Sequence, residues 1–85
     1  MTGCLKITEH LKDYMDKEGI GVNCYEDGVV YISTKSQEVT ARVMSYLRGG
    51  NSRQWKYLNS NSNLAGNRWH TIAYFERVTE WSDIN

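Results

Sequence analysis

His10 and His70 are the two histidines of this 85-residue chain, the residue type most often used for acid–base chemistry, and Cys4 and Cys24 are its two thiols. A ribonuclease-like acid–base pair would need both histidines beside a cation such as Arg68, with the first helix lying against the last strand. Nothing in the spacing asks for that, and the plainer expectation is His10 on a helix surface and His70 in a strand. The two cysteines are too few for a disulfide framework and too far apart for a zinc site, so two reduced thiols are expected. No G-x-S-x-G, H-E-x-x-H or C-x-x-C is present, and Gly49-Gly50 lacks the Lys-Ser/Thr that completes a phosphate loop. The sequence therefore predicts a protein that is not an enzyme and holds no metal or other cofactor.

A stronger pattern runs from Arg48 to Arg77. Arg53, Trp55 and Tyr57 alternate with Gln54, Lys56 and Leu58, and Trp69, Thr71, Ala73 and Phe75 alternate with His70, Ile72, Tyr74 and Glu76. Period-2 alternation of this kind predicts a two-stranded ribbon. The segment between, NSNSNLAGN, is rich in residues that bond locally or adopt positive φ, which predicts an exposed, mobile loop carrying Asn61 and Asn63.

Two kinds of partner fit this ribbon. Arg48, Arg53, Lys56 and Arg68 have the charge to hold phosphates, while Trp55, Tyr57, Trp69 and Tyr74 have the ring faces to stack bases, as in binders of single-stranded RNA or DNA. Richness in Tyr, Trp, Arg and Asn is equally the composition of protein interfaces. No RNP-type aromatic motif or G-x-x-G clamp supports the nucleic-acid reading. The first expectation is thus a protein partner, met through Arg42, Arg48, Arg53, Trp55, Lys56, Tyr57, Asn61, Asn63, Arg68 and His70. Single-stranded RNA is the alternative. Trp55 and Trp69 are also expected to lend part of their area to the core, because so few large aliphatic residues are available. A free sheet edge would offer a further docking mode, including a homodimer.

Charge is uneven. Three lysines stand against six carboxylates up to Thr34, six cations against Glu38 alone from Lys35 to Ile72, and one cation against three carboxylates thereafter. A molecule of zero formal charge thus has a basic middle and acidic ends, which favours steering of one partner over general attraction to phosphate.

The elements that position these residues follow from periodicity. Leu5, Ile7, Leu11, Tyr14 and Met15 predict a helix over about 4–18, capped by Thr2 and stopped by Gly19 with Ile20 folding back. In GVNCYEDGVVYIST, Asp27-Gly28 predicts a two-residue type I′ hairpin, with Val22, Cys24, Val30 and Ile32 facing the helices. Thr34-Lys-Ser-Gln37 resembles a capping box, with Ser36 the other candidate cap, for a second helix. Val39, Val43, Tyr46 and Leu47 mark its buried face, and Gly49-Gly50 its end. Trp81 is expected to pack back on the body.

The order α-β-β-α-β-β predicts one domain over 1–85 of the α+β class. It is a two-layer sandwich in which a four-stranded antiparallel sheet carries two helices on one face and leaves the other to solvent or a partner. No apolar run reaches a membrane span and no signal sequence is visible, so a cytoplasmic protein that does not engage membranes is expected. Short length, lack of an active site and a polar segment match the build of a phage accessory protein. Such a protein works in the host cytoplasm by binding and disabling a host factor such as a defence nuclease or toxin.

Overall fold

A computed structural model describes residues 5–78, and these form the α+β sandwich: α1 (Glu9–Glu18), β1 (Gly21–Tyr25), β2 (Val29–Thr34), α2 (Gln37–Asn51), β3 (Trp55–Ala65) and β4 (Arg68–Arg77). The sheet is antiparallel throughout, in the order β1-β2-β4-β3. Both helices lie on one face. Beneath them Leu11, Val30, Ile32, Val43 and Leu47 are fully buried, joined by Leu5, Ile20, Val39, Trp55, Ala73 and Phe75. Thr2, Cys4 and Trp81 lie outside the described residues.

The first helix is shorter than its periodicity predicts. It starts at Glu9, where the Thr8 hydroxyl accepts a hydrogen bond from the Leu11 amide, so Leu5 is buried from the lead-in segment before the helix and Ile7 is exposed. Gly19 stops it in the left-handed conformation, φ 65°, and the Ile20 amide donates to the Met15 carbonyl. In α2 the cap is Ser36, whose hydroxyl accepts from the Val39 amide. Thr34 instead ends β2, fully buried, and its hydroxyl bonds the Ser36 carbonyl and the Thr40 hydroxyl. Lys35 pairs with Glu18 at 2.9 Å and holds that carboxyl below its ordinary range, with a smaller contribution from Arg42.

The pair Gly49-Gly50 does not end α2, which runs on to Asn51. Asn51 is buried, and its amide binds the lead-in segment on both sides: Oδ1 accepts from the Lys6 amide at 2.6 Å, and Nδ2 donates to the Lys6 carbonyl at 3.0 Å and to the Leu47 carbonyl at 2.8 Å. A Cβ at Gly50 would come within 2.8 Å of Thr8 Cγ2, so the glycine expected to end the helix instead admits that segment.

The β1–β2 loop is one residue longer than a type I′ hairpin. Tyr25 pairs with Val29, leaving Glu26, Asp27 and Gly28 between the strands, with Asp27 at φ 72° and Gly28 at φ 83°. A two-residue loop would have set Cys24 opposite Tyr31 and Val22 opposite Ser33. The observed register sets Val22 opposite Ile32 and Cys24 opposite Val30, apolar beside apolar. Gly28 is buried against β4, where a Cβ would stand 2.2 Å from the Phe75 carbonyl oxygen.

The largest departure from expectation is in β3. NSNSN is strand, not loop, and Arg53 and Gln54 precede the strand in a turn. Strand β3 stays paired with β4 as far as Ala65 opposite Arg68, and Gly66-Asn67, φ 56° and 70°, form the two-residue turn with positive φ at both positions. One irregularity interrupts the ladder: Tyr57 pairs with Phe75 and Asn59 with Tyr74, leaving Leu58 as a bulge.

Candidate functional site: the open face of the sheet

Side chains alternate across a sheet, and residues directly opposite in antiparallel strands share a face. Val30, Ile32, Thr34, Thr71, Ala73 and Phe75 are buried under the helices. Their neighbours in sequence therefore build the other face, and register fixes its rows. Tyr25, Val29, Tyr74 and Asn59 form one row; Asn23, Tyr31, Ile72 and Asn61 the next; Gly21, Ser33, His70 and Asn63 a third. The result is a central band of three tyrosines, a valine and an isoleucine bordered by a column of asparagines. Tyr25 is 52 % exposed and Ile72 39 %.

Within this face, the Tyr31 hydroxyl is hydrogen-bonded to His70 Nδ1, and the two rings stack with centroids 5.8 Å apart. Arg68 is anchored: Nε donates to the Ser33 hydroxyl at 2.8 Å, and Nη2 to the Ser33 and Gly19 carbonyls at 2.9 and 3.1 Å. Lys56 is exposed directly opposite Glu76. The rows are therefore amphipathic and poor in uncommitted cations.

Residues of the predicted ribbon separate into different places. Asn61, Asn63, His70, Arg68 and Lys56 belong to the open face. Arg48, Trp55 and Tyr57 gather instead where α2 meets β3, around a groove of about 600 Å³ that Lys56 also borders, with Ser52, Phe75 and Val78. Arg53 is exposed in the turn before β3, beside Lys6 and Asn51. Arg42 stands apart on the exposed side of α2.

Trp55 is only 5 % exposed and carries the Arg77 guanidinium 4.9 Å over its ring. Tyr57 has Arg48 4.5 Å over its face and Phe75 at its edge. Trp69 is half-buried opposite Thr34. Two of the rings nominated to stack bases thus already stack on the protein's own arginines. His10, exposed on α1, is on the helix side of the sheet, whereas His70 faces away, so the two do not converge. Among the described residues no three His, Cys, Asp or Glu side chains are grouped to bind a metal ion, and no helix is long and apolar enough to cross a membrane.

Tyr25, Tyr31 and Ile72 were not among the nominated residues, although the signal was available: they alternate with the residues assigned to the core. Compared with known proteins, this chain matches no family model, no curated protein and no solved structure.

Proposed function

We propose that the chain is a small non-enzymatic binding protein, an inhibitor or regulator, and that it engages a protein partner through the open face of its sheet. One observation carries this reading: Tyr25, Tyr31, Ile72 and Tyr74 lie side by side with Asn59, Asn61 and Asn63 on a face whose cations are anchored or opposed. Tyrosine supplies large rigid contact area and asparagine adaptable hydrogen bonds, the combination that protein-recognition surfaces favour. A nucleic-acid platform needs phosphate-binding cations around stackable rings. Here the exposed arginines Arg42, Arg48 and Arg53 lie on α2 and in the turn after it, away from the tyrosines of the open face.

The test is affinity capture with the full chain, with and without nuclease, beside a variant carrying Ile72→Arg and Tyr74→Arg. Both positions are exposed, so the circular dichroism of the variant should equal that of the parent. The expected result is capture of one discrete protein that survives nuclease and is lost in the variant, chiefly through faster dissociation. Capture abolished by nuclease would reverse the reading. So would micromolar binding of random single-stranded RNA at about 0.15 M salt that Arg53→Glu removes without unfolding the protein.

A further inference from the structure

The seven residues Leu58-Asn59-Ser60-Asn61-Ser62-Asn63-Leu64 read the same in both directions. They lie on β3, the last strand in the sheet order, and among the described residues no strand pairs with its outer side. From Asn59 to Ala65 every side chain is exposed except the half-buried Ser60. Natural sheet edges are blunted by lysine, proline or inward charges. Between Lys56 and Arg68 this edge has no charged residue and no proline.

A palindromic strand has a specific geometric property. When two copies add edge to edge in antiparallel fashion about a two-fold axis through Asn61, every residue meets its own type. Asn59 meets Asn63 of the second copy, Ser60 meets Ser62, Asn61 meets Asn61, and Leu58 meets Leu64. We infer that β3 is the interface of a homodimer, formed by this pairing into one continuous sheet.

Three further facts fit a second copy better than a foreign strand. Leu58 and Leu64, 45 % and 59 % exposed, are otherwise unexplained on a polar edge, and the two-fold register brings each against its counterpart. The same register carries Lys56 past the end of the partner strand to the turn at Gly66, so no like charges face one another along β3. A two-fold interface must be self-complementary, a condition a palindrome meets and a general peptide-binding edge does not need. Seven paired residues supply about six to eight backbone hydrogen bonds, the scale of a modest, reversible dimer. The asparagine columns of the two copies would then meet at the axis, and the two open faces would run on as one. This inference is independent of what docks on the open face.

Sedimentation equilibrium of the full chain over a concentration series tests it. The parent should dimerise reversibly. Asn61→Lys and Asn61→Glu each set two like charges face to face on the axis, and each should raise the dimer dissociation constant about tenfold or more. Mixed in equal amounts, the two variants should restore association to the parent level, because opposite charges then meet. Asn61 is exposed, so both variants should keep the parent's circular dichroism and thermal midpoint. A parent that stays monomeric into the high micromolar range would overturn the proposal. Undiminished dimerisation of either variant alone, or a mixture that fails to recover, would overturn it equally.

Discussion

The two hairpins of this sheet use similar turn chemistry in opposite surroundings. At the β1–β2 end, Asp27 and Gly28 have positive φ under the edge of the core, and Gly28 lies against the Phe75 backbone and the Trp55 ring. At the β3–β4 end, Gly66 and Asn67 also have positive φ, but a Cβ on Gly66 would meet nothing within 4 Å. In the first hairpin tertiary packing sets the register and lengthens the loop. In the second, pairing with β4 alone sets it, and a tight two-residue turn results. A positive-φ dipeptide thus marks where a chain reverses, while burial decides how many residues the reversal takes.

That contrast can be broken by substitution. Gly28→Ala should have the largest effect, a loss of about 3 kcal/mol or more, because left-handed strain adds to an overlap with backbone that cannot move aside. Chemical denaturation reads it, and a loss under about 1 kcal/mol would mean that Gly28 is not packed as described. Next comes Asn51→Ala, which leaves both backbone groups of Lys6 without their partner in a part-buried site and should cost about 2–3 kcal/mol. An unchanged midpoint would show that the lead-in segment is not clamped. Gly66→Ala should be mildest, about 1–2 kcal/mol from conformation alone. If Gly66→Ala matched Gly28→Ala, the distinction between the two hairpins would fail.

What the sequence made legible follows the same division. Val30, Ile32, Val39, Val43 and Leu47 announced the core because burial leaves a periodic trace, and the element order followed from them. The expectation that Val22, Cys24, Val30 and Ile32 all face the helices was in fact incompatible with a two-residue loop at Asp27-Gly28, and the apolar pattern prevailed. NSNSN was misread because its polar side chains carry no alternation and Asn is depleted in strands, yet hydrogen bonding to β4 holds it extended. Gly49-Gly50 misled for a different reason. Their helical continuation depends on Asn51 binding a segment 45 residues away in the chain, and local propensity cannot report that. The site suffered both problems: Trp55 and Tyr57 carried the compositional signal but lie against the helix side, whereas Tyr25 and Tyr31 sat unnoticed in the strands of the first hairpin.

The bulge at Leu58 bears on how this surface can evolve. Tyr57 points toward the helices and Asn59 away from them only because one unpaired residue intervenes in the ladder. Delete Leu58, and Tyr57 opposite Phe75 would be followed directly by Asn59 opposite Tyr74, so strict alternation would still leave Asn59, Asn61 and Asn63 beside the tyrosines and Ser60, Ser62 and Leu64 on the helix side. A base substitution edits one position of this edge. A three-nucleotide deletion at Leu58 would be absorbed by the ladder, so in a lineage of such proteins the segment before Asn59 can lose this one residue and keep both faces of the edge.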